Sequence, residues 1–415
     1  MFKKTIISEF FTTVSFRQVL QSLYLMTFWL FKLKKWKDKI LFEKELLNYL
    51  WLKDSKIISF YNGRSAIFHT LKIIWVGRED EVIINAYNCV SIVNAVLQTW
   101  AKIVYSDIEK DTLSFDFEIF KKNITKNTKV IILQHTFWKI ARDYDKIIKF
   151  AKEKSILVIE DCAHSLWNNT DILWDFAIFS IWRDKVISGV TWWFLVINNK
   201  KYFDKLKEIK QTLKMPSIFL ILKNLNYNIV WYKAYKLYDF FKFWRVIIYL
   251  SRKLKLITEI LTPNEKRCNF NNFYLDLPNS LAFLARKELK RIGLYTKIRL
   301  KNTKYYLDNI KNNKIKILFN DLKNYNWFRF PILLNSEKEK NKLVKSAKEN
   351  NIILWTSWSW INIVPIWTDL KKAQYKLWSC KLAEDISKRI VSLPNHKMIK
   401  KIDLNKIIKL LNKYV

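Results

Sequence analysis

Glycine is what this chain most lacks: 4 in 415 residues, about 1%, against a usual share of about 7%. A protein this large then has few of the residues that tight turns and left-handed helix ends ordinarily use. Cysteine is scarce as well. Cys89, Cys162, Cys268 and Cys380 are too few for a disulfide framework and show no paired metal-ligand spacing, which points to a reducing, cytoplasmic setting. Acidic residues number 37 against 74 Lys plus Arg, a formal net charge of +37. Such an excess would draw nucleic acid, anionic lipid or anionic small substrates. The lysines are spread along the whole chain, however, and no RNA- or DNA-binding signature accompanies them, so nucleic acid is not an expected partner.

Tryptophan is abundant instead, at 19 residues, and it stands where turns are expected. Trp192-Trp193 precede an apolar strand, Trp138 follows one, and Trp355, Trp358 and Trp360 punctuate a polar loop. One reading is that many of these tryptophans are glycines in the native protein. Some bacterial lineages reassign the UGA codon to glycine, and translation with another code table prints Trp. The alternative is a protein that is truly rich in tryptophan.

Half of the residues are hydrophobic, enough for a sizeable core in a large and a small domain. The first 45 residues are apolar and basic, but Glu9, Arg17, Gln18 and Gln21 interrupt them, and a membrane span needs about 20 uncharged apolar residues. No small-residue cleavage site follows. Residues 1–45 therefore read as an amphipathic helical segment packed on the body, with a membrane-surface helix as the alternative.

Residues 46–203 alternate apolar runs with amphipathic stretches. Strands are expected at Glu81–Asn85, Lys102–Tyr105, Lys129–Leu133, Leu157–Glu160, Phe176–Phe179 and Phe194–Ile197, and helices at Ser65–Ile74, Val90–Gln98 and Tyr144–Glu153. This alternation predicts a mostly parallel sheet between helices, with ligands at the carboxyl ends of the strands. Residues 204–260 form a helical, aromatic- and Lys-rich insertion: a dimer arm, or a membrane-facing hairpin. Residues 261–415 form a smaller α+β domain. It has helices near Ser280–Arg291, Glu337–Asn350 and Asp403–Lys413 and a strand near Trp327–Leu333.

Four segments carry chemistry. Asn62-Gly63-Arg64-Ser65-Ala66 enters a helix after a strand-like run, and amides at a helix start beside a glycine and a hydroxyl suit an anion. Asp161 in Val158-Ile159-Glu160-Asp161-Cys162-Ala163-His164 ends an apolar strand. A carboxylate there is costly without a cation, such as a protonated pyridine nitrogen; a helix N-cap is the plainer reading. Lys185 follows Phe179-Ser180-Ile181-Trp182-Arg183-Asp184 and precedes Val186 and Ile187. Burial among them would keep it neutral enough to attack a carbonyl, whereas most lysines are solvated. The fourth, Val190-Thr191-Trp192-Trp193-Phe194, becomes a flexible turn into a strand if its tryptophans are glycines.

Together with Arg78–Ile83, "NAYNCVSIVNAV" (85–96), "AKIVYSDI" (101–108), "HTFW" (135–138), "WDFAIFSIWRDK" (174–185) and "AEDISKRIVSLPNH" (383–396), these segments resemble the DegT/DnrJ/EryC1/StrS sugar aminotransferases, which are fold-type-I enzymes dependent on pyridoxal 5′-phosphate (PLP). The resemblance runs from about residue 57 to the C-terminus. Trp100, Trp138, Trp167, Trp174, Trp182, Trp192 and Trp193 fall where such relatives usually carry glycine. It implies that Lys185 is the Schiff-base lysine and that Asp161 holds the pyridine nitrogen. His164 would lie near the phenolic oxygen, and Ser180 with Gly63, Arg64 and Ser65 would bind the phosphate. Cys89 stands where many relatives stack an aromatic ring, with Tyr87 as a possible substitute. The family's Asn-Tyr-Arg-like segment is poorly matched near Leu275–Asn279. The implied activity is amino transfer, with glutamate as donor, to a keto group on a nucleotide-linked sugar for polysaccharide or lipopolysaccharide synthesis. The enzyme would be a cytoplasmic homodimer, and a retained lysine argues against the family's dehydratases. The alternative is an inactive or membrane-peripheral basic protein on the same scaffold.

Overall fold

The structure is a computed structural model that describes residues 4–8, 14–28, 30–166, 175–241, 243–259, 261–269, 274–320, 328–356 and 368–414. Trp167, Trp174, Trp327, Trp358 and Trp360 lie outside these residues. In chain order the strands are β1 (Ile6–Ile7), β2 (Lys56–Phe60), β3 (Glu81–Asn85), β4 (Lys102–Ser106), β5 (Thr128–Gln134), β6 (Leu157–Cys162), β7 (Phe176–Ser180), β8 (Trp193–Ile197), β9 (Ile315–Ile317), β10 (Phe330–Leu334), β11 (Ile352–Ile353) and β12 (Ile390–Leu393). Seven of them form one sheet in the order β2-β8-β7-β6-β5-β3-β4. β8 runs antiparallel to both neighbours and the other pairings are parallel.

The middles of the parallel strands are short apolar runs, such as Val82–Ile84 of β3 and Val130–Leu133 of β5, because both faces are covered there. Ile83 of β3 and Ile131 and Leu133 of β5 pack with Ile147 and Ile148 of the helix Tyr144–Glu153. The alternate residues Val82, Ile84, Val130 and Ile132 join the opposite core, with Val93 and Val96. The early helices are α1 (Phe16–Thr27), α2 (Asp38–Tyr49), α3 (Gly63–Ile73) and α4 (Val90–Leu97). α3 and α4 each follow a strand whose carboxyl end faces the site. A second sheet, β12-β10-β9, is antiparallel throughout and belongs to the C-terminal part, where the helix Ile292–Asn309 exceeds the sequence expectation.

Described residues before α2, among them Ile6, Ile7, Val14, Val19, Leu25 and Leu33, join the main core. β1 pairs in parallel with β11, and the buried His396 ring bonds to the Ile7 carbonyl at 2.8 Å. α1 opens on a capping box, Ser15 with Gln18. The same Gln18 donates through Nε2 to the Ser188 carbonyl at 3.1 Å, three residues beyond Lys185. Among the described residues, no helix is long and apolar enough to cross a membrane.

Helix ends show an unusual residue choice. Of the 14 described non-glycine residues with positive φ, five are tryptophans: Trp51, Trp75, Trp100, Trp138 and Trp378. None of the glycines has positive φ. After α2, Trp51 N–H donates to the Asn48 carbonyl and Leu52 N–H to Leu47. After α3, Trp75 bonds to Lys72 and Val76 to Leu71. Both are Schellman ends, whose left-handed position is ordinarily glycine.

Candidate active site

Cross-strand register places the polar groups. Partners across a ladder share a sheet face. Gln134 pairs with Asp161, Asp161 with Ile178, and Ser180 with Trp193. Ile178 and Ser180 are two residues apart, so Gln134, Asp161, Ser180 and Trp193 occupy one face at the carboxyl end of the parallel strands. Lys185 reaches this end on the turn after β7, and α3 begins there after β2.

Lys185 is 5% exposed. Burial pulls its ammonium below the ordinary lysine range; Asp184 opposes this, while the Arg329 charge adds to it. Its Nζ lies 3.7 Å from an Asp184 carboxylate oxygen and 5.2 Å from the centre of the Phe328 ring. Asp184 also accepts from Arg329 at 2.8 Å. Burial pushes the Asp184 carboxyl up, but Lys185 and Arg329 outweigh it and hold it below the usual value. The lysine is thus a buried amine with a lowered proton affinity, as a nucleophile toward a carbonyl requires.

Asp161 is 6% exposed and accepts the Ala163 amide at 3.0 Å. Burial raises its pKa, with the Ala163 amide, Lys185 and His135 pulling the other way. A cation brought to this carboxylate would restore its charge. His164 is held between rings, 6.0 Å from Phe137 at 4° and 4.8 Å from Phe328. Its Nδ1 accepts the Phe137 amide at 3.1 Å, so the remaining proton sits on Nε2. Burial, with Lys185 and Arg329 next, drives its pKa well down, and the ring is a neutral donor.

The helix start expected to meet an anion is that of α3. Asn62 caps it, accepting both the amide and the hydroxyl of Ser65 at 2.9 Å. Gly63 and Arg64 supply the first-turn amides, and the Ser180 hydroxyl accepts the Trp182 amide at 3.2 Å. The Arg64 side chain is engaged elsewhere: it pairs with Glu265 and bonds to Ser91 at 3.4 Å, and burial lowers its pKa. The structure therefore gives the anion turn the Arg64 backbone rather than its guanidinium. Cys89 is half-buried, 3.5 Å from the Ser91 hydroxyl, and close enough to Lys185 to act on its charge. Tyr87 is buried, edge-on to Phe137 at 6.3 Å.

Three contributors were not read from the sequence. Arg329, Phe328 and Asp184 come together only because Phe328 and Arg329, just before β10, lie over the lysine turn. Arg183, also buried, ties that turn to the 204–260 region, donating to the Thr258 carbonyl at 2.9 Å and lying 4.1 Å over the Tyr227 ring. The one local signal was the charged Arg329 between two aromatic residues at a strand start.

A buried amine of lowered pKa, a buried carboxylate on the same face, a neutral histidine and a capped helix start fit PLP. Lys185 would hold its aldehyde carbon, Asp161 its ring nitrogen, and the turn of Gly63, Arg64 and Ser65 with Ser180 its phosphate. One feature crowds that last position. A Cβ at Gly63 would lie 2.6 Å from the Trp193 ring, so the indole packs directly on the first turn of α3.

The sheet order is that of the fold-type-I transferases. The DegT/DnrJ/EryC1/StrS aminotransferase family model matches residues 32–188 and 268–412, and the chain belongs to that PLP-dependent family. It is 27% identical over 187 residues to a GDP-perosamine synthase of Vibrio cholerae, covering 44% of this chain and 50% of that relative. The matched stretch thus spans half of that relative's length. Two solved structures share the fold. TlmJ, an aminotransferase from Streptoalloteichus hindustanus, has a TM-score of 0.73 at 13% identity, over 99% of this chain and 98% of the other. PseC, a Helicobacter pylori aminotransferase involved in the biosynthesis of pseudoaminic acid, has 0.72 at 18%, over 99% of each.

Proposed function

We propose that this chain is a PLP-dependent aminotransferase that moves an amino group from glutamate to a keto group on a nucleotide-linked sugar. The observation that carries the reading is Lys185, a buried lysine of lowered pKa set beside His164 at the strand ends that present Asp161. The sugar-nucleotide class is supported by the family and by the named activity of the Vibrio relative.

The cofactor, when bound, supplies the electron sink for the donor's α-carbon. Lys185 Nζ would take the proton from that carbon and deliver it to the cofactor's aldehyde-derived carbon, a transfer that its lowered pKa favours. Asp161 keeps a proton on the ring nitrogen by presenting a buried negative charge. His164 donates from Nε2, and the first turn of α3 orients the phosphate. Phe328 and Phe137 exclude water from Nζ and from the histidine ring.

The test is purified protein supplied with PLP, glutamate and a panel of nucleoside-diphosphate 4-keto sugars, with 2-oxoglutarate as the readout. Formation that depends on both the keto sugar and Lys185 is expected. A Lys185→Ala protein that turns over normally would rule the assignment out.

We further propose a homodimer. The exposed apolar side chains Phe219, Phe243, Val246, Tyr249, Leu250 and Leu254 of residues 218–254 suit a subunit contact. The same surface, near Arg245, Arg252 and Lys253, supports a second reading, a peripheral contact with anionic lipid. Flotation with anionic and neutral liposomes separates the two.

A further inference from the structure

We propose that the functional protein carries glycine, not tryptophan, at positions 51, 75, 100, 138, 192, 193 and 378. This inference does not depend on the catalytic reading, because four of these positions are solvent-exposed helix ends or turns.

The first line of argument is backbone conformation. Trp51, Trp75, Trp100 and Trp378 hold φ of 59°, 59°, 67° and 68°, and Trp138 holds 92°. In this region a Cβ crowds the following carbonyl, and glycine is the residue that enters it freely. Among the described residues tryptophan contributes 5 of the 14 left-handed non-glycine positions, far above its share of the sequence. The indoles gain little in return, since Trp51, Trp75, Trp100 and Trp378 are 77%, 76%, 70% and 66% exposed. At 51 and 75 the paired Schellman hydrogen bonds are complete, so the backbone has the geometry of a glycine end.

The second line is crowding beside Lys185. The Trp193 ring lies 2.6 to 2.7 Å from the position of a Gly63 Cβ and covers the helix start that would meet a phosphate. Trp192 is fully buried, its Nε1 has no hydrogen-bond partner among the described residues, and its ring centre is 4.0 Å from that of Phe42, shorter than the usual 4.5–7 Å spacing of aromatic pairs. A buried indole N–H without a partner is costly. Glycine at both positions removes the crowding and clears the space between the first turn of α3 and Ser180.

The displaced residue is the same at every position, as one codon read in two ways would produce. UGA is that codon: tryptophan under one genetic code and glycine under another.

The test is peptide mass spectrometry on the protein purified from its source cells. Each tryptic peptide covering these seven positions is expected at the mass for glycine; a tryptophan residue at any of them overturns the proposal. Reading the gene gives a second, independent result, with UGA expected at all seven and UGG at any one overturning it. For the fold itself, the tryptophan chain is compared with one carrying glycine at the seven positions. The glycine chain is expected to melt at higher temperature and to gain absorbance on adding PLP. A melting temperature no higher than that of the tryptophan chain counts against the proposal.

Discussion

Lys185 sits between two opposed charges. Asp184 favours its protonated form, while Arg329 and burial oppose it. In the proposed role Lys185 must be neutral to capture a carbonyl, so this balance would set the lower pH limit of cofactor binding. Arg329→Gln removes a cation and releases Asp184 to face the lysine alone, and both changes raise the Lys185 pKa. The expected outcome is an acid limb of PLP binding moved to higher pH, read from cofactor absorbance against pH; an unmoved limb would show that Arg329 does not act on Lys185. Asp161→Asn keeps the shape of the site but removes the charge proposed to hold the ring nitrogen protonated. A fall in kcat of roughly 10²-fold or more is expected with PLP still bound, and unchanged kcat would remove Asp161 from this role. None of Asp184, Arg329 and Phe328 was identified from the sequence, because their roles come from contacts across about 145 residues of chain.

Short apolar runs identified the strands of the large sheet to within one or two positions, since strands buried on both faces tolerate few polar side chains. Orientation was less legible. β8 looks like its neighbours in sequence, yet it runs against them, and only the short connection from β7 allows that. Helix ends are the other informative element. Asn62 closes the start of α3, and Asn62→Ala should cost about 1 kcal/mol and weaken phosphate retention, measured by denaturant unfolding and PLP dissociation. The β1–β11 pairing depends partly on His396, whose pKa is lowered to about 3, mainly by burial. The unfolded ring takes up a proton near pH 6.5 and the folded ring does not until about 3. Stability from this site is therefore complete above 6.5 and is lost as pH falls through that window. His396→Gln should flatten the fall of Tm between those pH values; an identical slope in both proteins would contradict the assignment.

At the scale of the molecule, the +37 charge and the exposed apolar side chains of residues 218–254 bear on association. A homodimer predicts sedimentation at twice the chain mass of 50.3 kDa, falling to the monomer on Val246→Glu with Tyr249→Glu. A monomer in the unaltered protein would leave these side chains to the lipid reading. The 204–260 region also has an internal task. Its Tyr227 and Thr258 hold Arg183, next to Asp184, so it braces the lysine turn whatever its outer face meets.

The sequence by itself determined the family and the order of the chemical groups, because Lys185, Asp161, His164 and Ser180 sit in short segments whose spacing is set by strand–turn–helix units. It also showed the glycine deficit, a matter of composition alone. The tertiary structure decided which groups converge. It brought Arg329 and Phe328 to Lys185, turned the Arg64 guanidinium to Glu265, and put Trp193 against Gly63. Those pairings depend on how distant elements pack, and sequence spacing carries no record of that.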